Sequence, residues 1–515
     1  LAICRLVGLL GVLLSSCTLA PPAALPTPTA SPNFVWLTNT PQLVVTVEPS
    51  ATRPPPTLTP NLPDLPEVPT VDPDVVNQSP YLYNAQAGDT IQSLAARFAV
   101  LPQEIESPDP IPDNGLINPN QLLIIPRRLF NTTSSQRIMP DSEVVYSRSA
   151  IDFDIFPFVD AAGGFLGGYK EFLGSTGSTF GSAVIERVAL ENSVNPRLLL
   201  SLLQFQSNWV YGQPPDDIKR RFPMGHLEGS DDELFFQMVW AADQLSIGYY
   251  GWREGTLTEI QFVDGVTARL APDLNAGTVA LYYFFAQLYG SEDWLTAVNP
   301  DSGHPALHTS MFDDPWDRAL VVEPLYPPTL TQPNMILPFA YDQIWAYTGG
   351  PHGAWTREGA RAALDFAPGS IETGCAPSNN LVMAAAPGLV VRSGVGVLVL
   401  DLDGDGREQT GWVLAYLHLA SENKIPVGSW VTQGQFIGNP SCEGGFSTGT
   451  HIHVARKYNG EWILADGPLP FVLSGWTAHA GPLAYQGTLE RELVVIKANT
   501  SGNAASRIIR RQDDP

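Results

Sequence analysis

Five residues in the C-terminal third of this 515-residue chain have the types and spacing of a metal-dependent site. The run Thr450-His451-Ile452-His453-Val454 sets two of the chain's eight histidines one residue apart. In a strand, residues i and i+2 share a face, so both imidazoles point one way and Ile452 the other. Upstream, "YTGGPHGAWTREGARAALDFAPG" offers His352 and Asp365, with glycines that let backbone approach closely. "VLAYLHLA" sets His418 in an apolar strand, where a lone histidine needs a reason. His352, Asp365 and one histidine of the pair would give zinc three N/O ligands and leave one position open. That is the pattern of a catalytic site, since structural zinc sites are usually closed by cysteines.

Residues 335–485 must position these groups. Short alternating or apolar runs ("LVMAAAPGLVVRSG", "VGVLVLDLDG", "GWVLAYLHLA", "THIHVARKYNGEW") are separated by Gly, Pro and Asn-Gly turns, which predicts an antiparallel all-β domain. A histidine followed by an aspartate, a strand histidine and a closing HxH together resemble the M23 zinc metallopeptidases, the LytM/lysostaphin-like enzymes. The long gap "HGAWTREGARAALD" looks like the β-lytic branch of that family. The resemblance implies that His352, Asp365 and His453 bind one zinc ion. It implies that His418 and His451 contact the attacking water or the developing oxyanion, and that the substrate is the peptide part of peptidoglycan. No HExxH is present, so no helix glutamate is on offer as base.

Residues 81–128 begin with a short strand. Gly88-Asp89-Thr90 can then cap a helix carrying Ile91, Leu94, Ala95 and Phe98. With the closing "NPNQLLIIP" this segment resembles a LysM module, which implies a βααβ fold and glycan binding through Gly88, Asp89 and Thr90. Residues 145–325 read as mainly helical. Asn195 caps one helix and Pro196 occupies its first turn. The arrangement is similar to the lysozyme-like fold of lytic transglycosylases, where a glutamate precedes a serine. Gln206 stands at that position before Ser207, and an amide cannot protonate a glycosidic oxygen. The resemblance therefore implies a non-catalytic spacer or glycan-binding scaffold, with Glu191 and Glu228 as the alternative acids.

Net charge is −24, which argues against nucleic acid as a partner. Residues 1–17 read as a secretory signal ending in Leu14-Ser15-Ser16-Cys17, which resembles a lipobox with Cys17 lipidated. Residues 18–80 read as a disordered Pro/Thr-rich linker and 486–515 as a partly disordered C-terminal extension. The expected location is the extracytoplasmic face of a bacterial membrane, held there by the lipid, with peptidoglycan as partner. Outside the cell, Cys375 and Cys442 are expected to pair. "DLDGDG" resembles the start of an EF-hand, but Trp412 stands where the bidentate glutamate belongs, so a polar hairpin turn is expected. The whole reads as a surface peptidoglycan endopeptidase; the alternative is an inactive wall-binding protein that regulates another hydrolase.

Overall fold

The computed structural model describes residues 79–228, 232–369 and 374–515. The predicted signal peptide, Cys17 and all but the last two residues of the linker lie outside the described residues.

The first module pairs β1 (Tyr81–Asn84) antiparallel with β2 (Leu122–Ile125) beside helix α1 (Ile91–Phe98). Tyr83, Leu94, Phe98, Ile117, Leu123 and Ile125 form its own small core. Thr90 Oγ1 accepts from Ser93 N at 3.1 Å, so the predicted cap forms. The expected second helix does not. A single 3₁₀ turn, Pro102–Glu104, takes its place, followed by irregular chain up to β2. Pro108, Pro110 and Pro112 explain the difference, because each lacks an amide donor and biases its predecessor away from the helical region.

The next region is helical. Its principal helices are α2 (Gly181–Asn192), α3 (Pro196–Ser207), α4 (Leu234–Glu254), α5 (Ala276–Ala286) and α6 (His304–Phe312). Asn195 accepts from Arg197 N at 3.0 Å and starts α3 as expected. Helix α4 packs along α5. Gly248 permits their approach, since a Cβ there would lie 2.9 Å from Ala280 Cα.

The C-terminal region is built on a nine-stranded antiparallel sheet. Its strands are β3 (Ile344–His352), β4 (Ala363–Pro368), β5 (Gly388–Gly394), β6 (Gly396–Asp401), β7 (Trp412–Leu419), β8 (Trp430–Val431), β9 (Ile452–Tyr458), β10 (Glu461–Trp462) and, beyond a four-stranded sheet, β15 (Arg507–Ile509). The order is β8–β5–β6–β7–β9–β4–β3–β15, with β10 paired to β9. The smaller sheet comprises β11 (Val472–Leu473), β12 (Trp476–Ala480), β13 (Gly487–Arg491) and β14 (Val494–Lys497).

Alternation along the strands splits the large sheet into two apolar faces. Leu398, Leu400, Leu414, Tyr416, Ile452, Val454, Leu364 and Phe366 fill one core. Val397, Val399, Val413, Ala415, Leu417, Ala455 and Ala363 face the other way and join the core of the helical region. The helical region is thus the second layer of this sheet and not a detached spacer. The expected boundary at residue 485 is also corrected. Ile508 is buried, and β15 pairs with β3 through Ile508 and Trp345, so the final residues complete the sheet. A three-residue strand followed by "RRQDDP" carries too little periodicity to be seen in sequence.

Candidate metal centre

Three elements converge on one point. β3 ends at His352, β4 carries Asp365, and β9 carries His453 directly opposite Asp365 and Leu417. The His352 Nε2 to His453 Nδ1 distance is 3.0 Å. Asp365 Oδ1 lies 3.2 Å from each of those nitrogens. All three side chains are buried. Gly349 is required beside them, because a Cβ there would come within 2.5 Å of Asp365 Oδ2.

The second nitrogen of each imidazole decides what the first one offers. His352 Nδ1 is 2.7 Å from the carbonyl of Gly350, and His453 Nε2 is 2.9 Å from that of Ala354. A carbonyl only accepts, so each of these nitrogens carries the proton. His352 Nε2 and His453 Nδ1 are then lone pairs aimed at one another, and Asp365 Oδ1 has no hydrogen-bond donor among the described residues. Three electron-rich atoms with edges of 3.0–3.2 Å repel unless a cation sits among them. Tetrahedral zinc with bonds of about 2.0–2.1 Å needs ligand edges near 3.3 Å. The donor set therefore fits zinc, and the two carbonyls are the outer partners that orient metal-binding histidines. Burial opposes charge on Asp365, and only cationic His352 and His453 would hold its carboxyl low; with both rings neutral, that role falls to a cation among the three. Burial lowers His453 as well, which keeps the imidazole neutral as ligation requires.

His418 and His451 complete the group. His451 lies on the same side as His453, with its Nε2 3.8 Å from Asp365 Oδ1, while Ile452 enters the opposite core. The expected facing of the HxH pair holds. The His418 and His451 rings are 4.4 Å apart. Each uses Nδ1 on a carbonyl, His418 on Glu443 at 2.9 Å and His451 on Gly449 at 2.7 Å. Their Nε2 atoms are left for chemistry. Burial, reinforced by His451 and His453, pushes His418 down to about 3.

His418 does not sit on a regular strand. Gly396 pairs with Leu419 and Val397 with Leu417, so His418 is the extra residue of a bulge, with φ +63°. A non-glycine residue there carries roughly 1–3 kcal/mol of strain. The bulge turns its side chain toward the metal cluster, a re-aiming that bulges often perform beside active sites.

The Cys375–Cys442 disulfide forms as expected, with Cα atoms 5.6 Å apart. It ties the segment after residue 373 to the loop that presents Glu443 and Gly449. Thr450 Oγ1 donates to Ala376 O at 2.6 Å across the same seam.

Sequence reasoning missed one neighbour. Tyr485 stacks on His352 with ring centres 4.1 Å apart and has φ +67°. It lies far along the chain, and no local pattern marks it. Other expected sites fall elsewhere. Gly88 and Asp89 turn inward: Asp89 is 1% exposed and accepts from Arg97 at 2.7 Å, and a Cβ on Gly88 would meet Arg253 at 2.4 Å. They pack the first module against the helical region, where Gly88 and Thr90 also line a cavity. Thr90 is only partly buried. Gln206 accepts from Tyr289 at 2.9 Å, Glu191 pairs with Arg187 at 2.9 Å, and Glu228 is exposed. Asp401 accepts from the amides of Asp403, Gly404 and Gly406, which makes "DLDGDG" a hairpin turn between β6 and β7.

Residues 137–327 match the family model described as LasA, N-terminal domain. Over 297 residues the chain is 28% identical to Protease LasA of Pseudomonas aeruginosa, covering 53% of this chain and 65% of that protein. The chain resembles the LasA proteases. Protease LasA of a second strain of that organism is 26% identical over 294 residues, again with 65% of its length covered, so the chain spans less than two thirds of these curated relatives. Among solved structures, the M23 metalloprotease Pseudoalterin from the deep sea is 23% identical, with a TM-score of 0.29, covering 35% of this chain and 99% of its own. The helical region, expected from sequence to resemble a lysozyme-like fold, is the part that the LasA N-terminal model matches.

Proposed function

We propose that the protein is a zinc metalloendopeptidase that hydrolyses the peptide part of peptidoglycan. The observation that carries this reading is the trio of undonated acceptor atoms, His352 Nε2, His453 Nδ1 and Asp365 Oδ1, held within 3.2 Å of one another. Zinc held by these three would lower the pKa of a water and polarise a carbonyl. The residues of the chain supply the rest. His418 and His451 each present a free Nε2 beside the cluster and can take a proton or, once protonated, donate to a developing oxyanion. The carbonyls of Glu443 and Gly449 hold these rings in the required tautomer. Tyr485 packs on His352 and fixes its plane.

Peptidoglycan as substrate rests on the M23-like motif; the names of the relatives support a protease. The proposal also includes attachment at the outer face of a bacterial membrane through Cys17, which rests on the sequence pattern alone. The test uses the whole chain from residue 79, with and without His453→Ala. Bound zinc and new amino termini released from purified peptidoglycan are measured. About one zinc per chain, with release that vanishes in the variant, is the expected result. Folded protein that takes up no zinc would overturn the reading.

A further inference from the structure

The two histidines proposed to hold zinc are steadied from different sides. His352 gives its outer proton to the carbonyl of Gly350, and the Gly350 amide donates to Tyr485 O at 2.9 Å, so that partner is held within the C-terminal region. His453 gives its outer proton to the carbonyl of Ala354, 2.9 Å away on the loop that joins β3 to β4. This loop turns toward the helical region. Ala354 N donates to Ala360 O at 3.0 Å and closes its neck. Ala354 and Ala360 are both buried in the core of the helical region, and Trp355 packs against the same core.

The tip of the loop is fastened to helix α4. Thr356 Oγ1 donates to Asp243 Oδ1. One turn further along α4, Ser246 meets Gly359, where a Cβ would come within 2.8 Å of Ser246 Cβ. Among the described residues Asp243 has no cation beside it, and Thr356 is its one side-chain donor. Burial pushes its carboxyl up to about 6, against the pull of the Thr356 hydrogen bond. A half-buried carboxyl answered by a single hydroxyl is a weak choice for stability. What it does fix is the place of Thr356, two residues from the carbonyl that orients His453.

We propose that Asp243 is a positioning residue for the zinc ligand His453, acting through Thr356 and the Ala354 carbonyl. The inference rests on the reading of the cluster as a zinc site. The outer partner of a ligating histidine fixes its tautomer and ring orientation, and losing such a partner costs roughly 10–100-fold in metal affinity. Without the Asp243–Thr356 bond the loop tip is released, the Ala354 carbonyl shifts, and the His453 ring is free to turn. Asp243 lies within the residues that the LasA N-terminal model matches, so this part of the chain serves the metal site as well as covering the sheet.

The test is zinc affinity, measured on the intact chain by competition with a chromophoric chelator near neutral pH. Thermal melts of the metal-free proteins confirm folding. Asp243→Ala and Thr356→Val are each expected to weaken zinc about tenfold, the lower end of the range for a lost outer partner. Asp243→Asn and Thr356→Ser keep the acceptor and the donor, and are expected to keep the affinity of the unchanged chain. The double variant Asp243→Ala/Thr356→Val is expected to be no weaker than either single one, because both break the same link. Ser201→Ala removes hydrogen bonds elsewhere in the helical region and is expected to leave affinity unchanged. Unchanged affinity in Thr356→Val would overturn the proposal, and that variant decides alone if Asp243→Ala does not fold. Losses that add in the double variant, or a loss in Ser201→Ala equal to that in Thr356→Val, would overturn it too, by showing general loosening in place of positioning. In each of these cases the unchanged chain still binds its zinc, and the peptidase reading stands. An unchanged chain that binds no zinc would overturn that reading and this inference with it.

Discussion

Two buried histidine clusters in this chain look alike in composition and differ in what they leave over. In the helical region His304 and His308 stand one turn apart on α6, with Ser201 of α3 between them. Ser201 Oγ is 2.9 Å from His304 Nε2 and 2.9 Å from His308 Nδ1. His308 Nε2 then meets Glu143 Oε1 at 3.3 Å, and Arg318 closes the chain on Glu143 at 2.8 Å. One assignment of protons serves each of these contacts: His304 donates to Ser201, Ser201 to His308, and His308 to Glu143. Among these side chains no two lone pairs face each other, although Ser201 Oγ also lies 3.0 Å from the carbonyl of Leu198, which competes for its proton. At the sheet, the backbone carbonyls of Gly350 and Ala354 take the outer protons of His352 and His453, and the inner lone pairs collide with Asp365. Spacing alone does not make a metal site. A metal site is a place where hydrogen bonding to the far side of each ring forces acceptors together on the near side.

The sharpest way to break that contrast is to remove one acceptor from each cluster. His453→Ala should abolish zinc binding and reduce peptide release to background, measured by metal content and new amino termini. Ser201→Ala should leave zinc at one per chain, because its cluster holds none. Zinc loss from the Ser201 variant in a folded protein would show that the two clusters are not independent. The next largest effect separates holding from reacting. His418→Ala should retain zinc and lose about 10²–10³-fold in kcat, the usual scale for one proton-transfer or oxyanion group. A parallel loss of metal would make His418 a ligand instead.

The same contrast explains what could be read in the sequence. The HxH pair was legible because strand alternation fixes which side chains share a face; His352, Asp365 and His418 were singled out by residue type and by resemblance to the M23 enzymes. Strand alternation made the β domain legible too. The bulge at His418 was not, since it depends on the register between β6 and β7. Tyr485 reaches His352 only through the fold of β12 and β13. What Gly88-Asp89-Thr90 packs against was not legible, because a helix start looks the same whether it faces solvent or a protein wall. Here Asp89 takes donors from Tyr83, Gln86 and Arg97, and the turn is spent on packing. That the helical region covers one face of the sheet was also invisible, because an apolar strand residue does not say what it packs against.

The disulfide sharpens the comparison on the sheet side. Cys375 and Cys442 enclose 67 residues of sequence separation. Chain entropy for a loop of that size gives about 4 kcal/mol of stabilisation. Replacing both cysteines by serine should lower unfolding stability by about that amount, measured by denaturant titration. Zinc should still bind, since no ligand lies on the loop, while activity should fall because Glu443 and Gly449 no longer hold His418 and His451 firmly. Unchanged activity would show that those two rings are positioned by their strands alone.

The smallest effect belongs to the helical cluster and is a pH dependence. Burial lowers both His304 and His308, His304 the more strongly, with His308 adding repulsion. The groups facing them are Glu143, which favours charge on His308, and Arg318 and Arg197, which oppose it. A histidine whose folded pKa is depressed binds its proton more readily when unfolded. Its contribution to stability is therefore present above the unfolded value of about 6.5 and is lost as pH falls below it. Each such histidine removes up to ~1.4 kcal/mol per pH unit in that range. His304→Gln should flatten the slope of unfolding free energy between about pH 6.5 and 5 by as much as one proton's worth, whatever its effect on stability at neutral pH. The chain carrying His453→Ala, which takes up no zinc, is the right background, because zinc release on acidification would otherwise add its own slope. A slope unchanged by His304→Gln would mean that this imidazole titrates alike in both states, and that the Ser201 network does not hold it neutral.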